Sequence, residues 1–130
     1  MFSVIIPTLN EENVIRSCLD NVDSASHDVE IIVADGGSTD RTIDIAREQN
    51  AIVCNSETGR GLQCNTGAAA ASGEILVFLH ADTRLPKNAF TKLAEIFKNE
   101  RVNIGTFFVS FDINHWLLRF SQLLSRFDPV

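Results

Sequence analysis

Three apolar runs in this chain each stop abruptly at a cluster of polar side chains. Ser3-Val4-Ile5-Ile6-Pro7 leads into Thr8-Leu9-Asn10-Glu11-Glu12, and Val29-Glu30-Ile31-Ile32-Val33-Ala34 leads into Asp35-Gly36-Gly37-Ser38-Thr39-Asp40. Glu74-Ile75-Leu76-Val77-Phe78-Leu79 ends in the same way at His80-Ala81-Asp82-Thr83. Strands that are apolar on consecutive rather than alternate positions are buried on both faces, which a mostly parallel sheet covered by helices provides. Function is therefore sought where the three polar ends meet.

Helical patterns separate the runs. Val14, Ile15, Cys18, Leu19 and Val22 recur at helical spacing while Arg16, Asp20 and Asp23 face away. A second helix is expected from about Thr39 to Gln49 with Ser38 as its N-cap. A third is expected from about Gly61 to Ser72, rich in Ala and closed by Gly73 as C-cap. A fourth begins near Pro86 and continues through Phe90, Leu93, Ala94 and Phe97. A short strand near Ala51–Cys54 completes the alternation, and the fold class is α/β, a Rossmann-like sheet with helices on both faces.

The pattern changes after Asn99, so residues 1–99 are taken as one region and 100–130 as another. In the second, Ile104–Phe111 reads as a strand, and Ile113, Trp116, Leu117, Phe120, Leu124 and Phe127 form the stripe of a strongly amphipathic helix. That helix is expected to pack on its own domain or to serve as a homo-oligomer interface. With Arg119 and Arg126 it also suits peripheral contact with a membrane surface.

A length of 130 residues allows about one domain with a real core, and 45% hydrophobic with 22% charged residues describes a globular protein. The formal net charge of -6 disfavours nonspecific nucleic-acid binding, which needs a basic footprint. The N-terminus has no basic region before its apolar run, and Cys18, Cys54 and Cys64 show no paired spacing. A cytoplasmic setting is expected.

In an open parallel sheet, ligands bind beyond the carboxyl ends of the strands, where the strand order reverses. If the first strand lies between the second and the fourth, Glu11, Asp35, Asp40 and Asp82 share one crevice. Such carboxylates repel a bare phosphate, so the crevice implies a divalent cation or contacts to something other than phosphate. Asp82 is the leading metal ligand, because oxygen donors suit Mg2+ or Mn2+. Its competing role is to cap the turn before Pro86, and His80 competes as a hydrogen-bonded structural residue.

Asp35 can accept from a base N–H or serve as a turn residue. Thr8 and Glu11 have the spacing of a capping box, compatible with Glu11 also pointing towards a ribose. The loop Glu57-Thr58-Gly59-Arg60-Gly61 supplies flexible backbone and one cation for a diphosphate, although a solvated Arg60 fits equally. Asn65 is a poor helix former whose place a polar contact would explain, and Gly67 suits close helix packing.

In this order and spacing, SVIIPTLNEE, DGGSTD and GRGLQCNTGAAAASGEILVFLHADT resemble the donor-binding half of a family 2 glycosyltransferase of the GT-A fold. The resemblance covers nearly all of Ser3–Thr83. It implies a nucleotide-sugar donor, a UDP- or GDP-sugar, with Pro7, Thr8, Asn10 and Glu11 lining the nucleoside. Asp35 would read the base, with Gly36, Ser38 and Asp40 shaping that pocket, and Arg60 and Asn65 would supply basic and amide contacts. His80-Ala81-Asp82 falls on the family's Asp-x-Asp motif, with Asp82 retained as ligand to Mn2+ or Mg2+ and His80 standing where the family commonly has Asp.

The implied reaction is inverting, metal-assisted transfer of a sugar to an acceptor hydroxyl. Nothing between Phe111 and Val130 matches the family's acceptor-binding half, so the chain is expected to be truncated, with the catalytic base beyond Val130. Two other readings are a nucleotide-binding or assembly module without catalysis and a sugar-phosphate nucleotidyltransferase. The latter wants a glycine-rich basic loop after the first strand, where this chain has Thr-Leu-Asn-Glu-Glu.

Overall fold

A computed structural model of the protein describes residues 1–25, 28–98 and 102–105. Strands β1 (Phe2–Thr8), β2 (Val29–Asp35), β3 (Ile52–Asn55) and β4 (Ile75–Phe78) alternate with helices α1 (Ile15–Ala25), α2 (Thr42–Glu48), α3 (Arg60–Ala70) and α4 (Ala89–Phe97). The strands form one sheet in the order β3-β2-β1-β4, with all three pairings parallel. The expected placing of β1 between β2 and β4 is therefore the observed one. Chain order runs outward from β1 to β3 and then jumps back to β4, so the strand order reverses between β1 and β4.

Helices lie on both faces of this sheet, as strand parity shows. Phe2 and Ile5 sit on opposite faces of β1, because successive side chains alternate. On the Phe2 face, the ring of Phe90 in α4 packs at 5.2 Å between centroids and 57° between planes. On the Ile5 face, α3 approaches so closely that a Cβ on Gly67 would overlap Ile5 Cγ2 and reach Ala34 Cβ at 3.5 Å. The close-packing role expected of Gly67 is thus the one it has.

The core consists of the consecutive apolar residues of the strands, Val4, Ile5, Ile6, Ile32, Val33 and Ala34, all fully buried, closed over by Ile15, Cys18, Leu19 and Val22 of α1. The i, i+3, i+4, i+7 stripe of α1 is therefore buried while Arg16, Ser17, Asp20 and Asp23 stay exposed. Arg16–Glu48 at 2.5 Å and Gln49–Asp20 at 3.0 Å link α1 to the end of α2.

Four local details differ from expectation, the first three because another partner takes the group that a local motif would use and the last because a turn precedes the helix. Helix α2 starts at Thr42, and Ser38 does not cap it; Asp40 Oδ1 accepts from the Thr42 N–H and hydroxyl at 3.0 and 2.5 Å. Thr8 and Glu11 form no capping box, since Thr8 ends β1 and donates its hydroxyl to Asp35. Gly73 lies beyond the end of α3 at Ala70, and its N–H donates to Ser3 Oγ at 2.8 Å and Glu30 Oε1 at 3.1 Å. Pro86 precedes α4 by a turn, with its carbonyl accepting from the Ala89 N–H at 2.9 Å.

Within the second unit, Ala94–Val130, the described backbone comprises the end of α4, where the Lys98 N–H donates to Ala94 O at 3.2 Å, and residues 102–105. The strand expected to continue past Gly105 and the amphipathic helix around Ile113–Phe127 lie outside the described residues. Among the described residues no helix is long and apolar enough to cross a membrane.

At the amino end of the sheet, Glu30 accepts from the Ser3 hydroxyl, the Ser72 N–H and hydroxyl, and the Gly73 N–H. The Ser3 hydroxyl foremost, then the Ser72 N–H, lower its carboxyl from 4.5 to about 2 against the opposing effect of burial. A carboxyl held low in the folded state stabilises the fold above its unfolded pKa and loses that contribution as pH falls through the folded one. Glu30→Gln is accordingly expected to lower the melting temperature at pH 7, with the gap to the parent protein closing between pH 4.5 and about 2. Gly67→Ala should destabilise by about 1 to 3 kcal/mol, the usual range for overpacking a filled core, measured by denaturant unfolding.

Candidate active site

The register of the sheet decides which polar residues meet. Thr8 pairs with Asp35 at the ends of β1 and β2, and Ile5 pairs with Phe78 at the end of β4. The Leu79 N–H still donates to Ile5 O at 3.0 Å, after which His80–Thr83 turns away, closed by the Thr83 N–H on His80 O at 3.0 Å. Between β1 and β4, at the reversal of strand order, lies a cleft of about 520 Å³. Pro7 and Thr8 line it from β1 with Leu9 and Glu11 of the loop that follows, Thr58 and Gly59 from the loop before α3 with Arg60 and Gln63 of that helix, and His80, Ala81 and Asp82 from the turn after β4. Its size falls within the range of small-molecule sites.

Six of the residues singled out in the sequence converge here: Pro7, Thr8, Glu11, Arg60, His80 and Asp82. Glu11 is half-buried, lines the cleft, and is anchored through its backbone, whose N–H donates to Thr42 Oγ1 at 2.8 Å. His80 and Asp82 are exposed at the mouth. Cys18 of α1 supports their turn from behind, with its thiol donating to His80 O at 3.8 Å. Burial first, then the charge of Asp82, pushes that thiol up to about 11, which keeps it protonated and in its donor role.

Asp35, Gly36, Asn10, Ser38 and Asp40 form the framework behind the cleft rather than its lining. Asp35 is 1% exposed. Its Oδ1 accepts from the Thr8 hydroxyl at 3.0 Å and the Ser38 hydroxyl at 2.5 Å, and its Oδ2 from the Gly37 N–H at 2.9 Å and the Ser38 N–H at 2.8 Å. A carboxylate has about four acceptor positions, and four donors fill them. In this structure the acceptor positions that the expectation gave to a base N–H are taken by four donors of the chain itself. Burial alone would raise its pKa, but the bonds from Ser38, Gly37 and Thr8 outweigh it and hold the carboxyl below its ordinary value.

The same framework stitches the loops after β1 and β2 together. Asn10, in the left-handed region at φ 55, donates its N–H to Ser38 Oγ at 2.8 Å and accepts from the Thr39 N–H at 2.8 Å. Asp40 Oδ2 accepts from the Glu12 N–H at 3.1 Å, and Glu12 Oε2 from the Arg41 N–H at 3.1 Å. Hydrogen bonds from Thr42 and Glu12 outweigh desolvation and hold the Asp40 carboxyl low.

Asn65 stands apart from the cleft for a reason of helix geometry. Gln63 and Gly67, four apart in α3, both face the sheet, so Asn65 points away at about 200° from Gln63 and is exposed. Thr58 and Gly59 belong to the loop expected at a diphosphate, and the cleft residues that sequence reasoning gave no role are Leu9 and Gln63. For Gln63 a signal existed, since it shares a helix face with the close-packing Gly67.

A divalent cation fits the site only in part. Among the described residues no three His, Cys, Asp or Glu side chains are grouped closely enough to hold a metal ion. His80 and Asp82 on one turn offer an imidazole and a carboxylate, a partial set that needs oxygen ligands from a bound substrate, as Mg2+ and Mn2+ sites often do.

Comparison with known proteins agrees with this architecture. Residues 3–127 match the family described as Glycosyl transferase family 2. A PGL/p-HBAD biosynthesis glycosyltransferase of Mycobacterium tuberculosis is 40% identical over 93 residues, covering 65% of this chain and 36% of the relative. A 4,4'-diaponeurosporenoate glycosyltransferase of Staphylococcus haemolyticus is 40% identical over 91 residues, covering 64% of this chain and 24% of the relative. This chain therefore spans roughly a third or less of the length of these relatives.

Among solved structures, S. aureus TarS 1-349 superposes with a TM-score of 0.67 at 30% identity, over 77% of this chain and 33% of that one. Glucosyl-3-phosphoglycerate synthase from Mycobacterium tuberculosis, in complex with Mn2+, UDP-glucose and phosphoglyceric acid, gives 0.64 at 31% identity, over 77% and 40%. With the strand order, the cleft at its reversal and a match that spans nearly all of its residues, the chain belongs to glycosyltransferase family 2.

Proposed function

We propose that this chain forms the donor-binding part of an inverting glycosyltransferase that uses a UDP- or GDP-sugar and a divalent cation, Mn2+ or Mg2+. The observation that carries the reading is the single cleft of about 520 Å³ in which Thr8, Glu11, Arg60, His80 and Asp82 meet. A structural neighbour crystallised with Mn2+ and UDP-glucose supports UDP as the first nucleotide to try. Pro7, Thr8 and Glu11 bind the nucleoside, with Glu11 accepting from ribose hydroxyls. Arg60, at the first position of α3, places its charge and the free N–H groups of the helix start against the diphosphate.

Asp82, with His80 beside it, would hold the cation. The bound cation supplies Lewis-acid stabilisation of the charge that develops on the leaving nucleoside diphosphate. In direct displacement the acceptor oxygen bonds to the anomeric carbon as the bond to diphosphate oxygen breaks on the opposite face, which inverts the centre. The proton of the acceptor hydroxyl passes to a base that we assign beyond Val130, in keeping with the share of the relatives that this chain covers. Asp35, Asn10, Ser38 and Asp40 serve the donor indirectly, by fixing the walls.

Thermal shift with UDP and GDP, with and without Mn2+, tests the reading directly. A ligand at 100 times its dissociation constant stabilises a protein by about 2.7 kcal/mol, ample for detection. The parent protein is expected to gain a nucleotide shift that grows on adding Mn2+. Asp82→Ala, at an exposed position that the fold does not need, should abolish the Mn2+ increment and keep the metal-free shift. A full increment in that variant would remove Asp82 from the metal site, and no shift with either nucleotide would overturn the donor reading.

A further inference from the structure

We infer that Gln63 is a positioning residue for the donor, holding the start of α3 against the ends of β1 and β2 so that Gly59 and Arg60 stand in place over the cleft. The inference rests on the donor reading of that cleft. Gln63 is 5% exposed, and every polar atom of its amide is used. Nε2 donates to Thr8 O at 2.6 Å and Ala34 O at 3.0 Å, the last and next-to-last residues of β1 and β2. Oε1 accepts from the Gly59 N–H at 3.3 Å, while the Gln63 backbone N–H donates to Gly59 O at 2.9 Å. One residue thus holds the preceding turn by both backbone and side chain.

The partners explain why an amide is needed. A carbonyl oxygen has two acceptor positions, and at the end of β1 Thr8 O takes the Gly36 N–H at 2.9 Å in one and the Gln63 amide in the other. The Gln63 Nε2 has two hydrogens and spends both on such carbonyls. Position 36 is matched to it: a Cβ on Gly36 would stand 3.0 Å from Gln63 Nε2. Gly36 O in turn accepts from the Thr58 hydroxyl at 2.6 Å, closing a connected wall from β2 through the loop to α3. An apolar side chain of similar size would fill the space and lose the connection.

Gln63→Met keeps the volume and removes the amide; Gln63→Glu keeps the shape and puts a carboxylate against two carbonyls. In the intact protein, Gln63→Met is expected to bind UDP with Mn2+ roughly tenfold more weakly by calorimetry, the equivalent of about one lost hydrogen bond. Hydrogen exchange at the Gly59 amide should accelerate in the ligand-free protein. Gln63→Glu should bind more weakly still at neutral pH and recover, relative to the parent, as falling pH protonates the new carboxyl and restores one donor. A residue that merely packs would lower the melting temperature without that pH-dependent recovery, so parental affinity in both variants overturns the inference. If the parent binds neither UDP nor GDP, the donor reading fails by itself, and the hold on α3 is then decided by exchange: parental protection at Gly59 in Gln63→Met overturns it.

Discussion

The buried carboxylate of Asp35 is the constraint on which the site's framework depends. At 1% exposure an ionised group is tolerable only if its oxygens are satisfied, and an unpaired buried charge would cost several kcal/mol. Thr8, Gly37 and Ser38 supply the four donors, and each has to stand in one place to do so. Fixing Thr8 fixes the end of β1; fixing Gly37 and Ser38 fixes the loop after β2. Asn10 and Thr39 then join the two loops across Ser38, and the half of the cleft built on β1 and β2 is in place before any ligand arrives. Such preorganisation lowers the ordering cost of binding.

The opposite side is built differently. The turn His80–Thr83 is held by one backbone hydrogen bond of its own and by the long contact from the Cys18 thiol. Asp82 receives within the chain only the Thr83 hydroxyl at 3.4 Å among the described residues. One wall therefore spends its carboxylate on the fold and the other leaves its carboxylate with one long local contact among the described residues, a division of roles between Asp35 and Asp82 that residue type alone would not reveal.

The fold was legible because its signal is a matter of period and run length. Consecutive apolar residues in Val4–Ile6 and Ile31–Ala34 called for strands buried on both faces, and the placing of β1 in the middle followed from asking which polar ends had to meet. Local motifs were less reliable. Ser38 as a cap, the Thr8–Glu11 box and Gly73 as a C-cap all used groups that tertiary partners had claimed. Gln63 was harder still: sharing a helix face with Gly67 marks it as facing the sheet, but its partners Thr8 and Ala34 lie 55 and 29 residues away. Asp35 was legible as a carboxylate at a strand end, whereas its burial and its four partners come only from the fold.

Charge then links the two halves of the cleft. The chain carries a formal net charge of -6, and the cleft contains Glu11 and Asp82 against the single guanidinium of Arg60. The nucleoside diphosphate proposed as donor would bring further negative charge into that space, more than Arg60 alone balances. Because the acids line the cleft from the loop after β1 and from the turn after β4, a divalent cation shared with the diphosphate would reduce repulsion on both sides at once. Donor and cation should therefore bind with positive coupling, each raising the affinity of the other by the same factor. On the proposed donor reading, the coupling follows from leaving Asp82 unspent while Asp35 is fully spent: the fold supplies the rigid wall, and a cation with the donor diphosphate would complete the other.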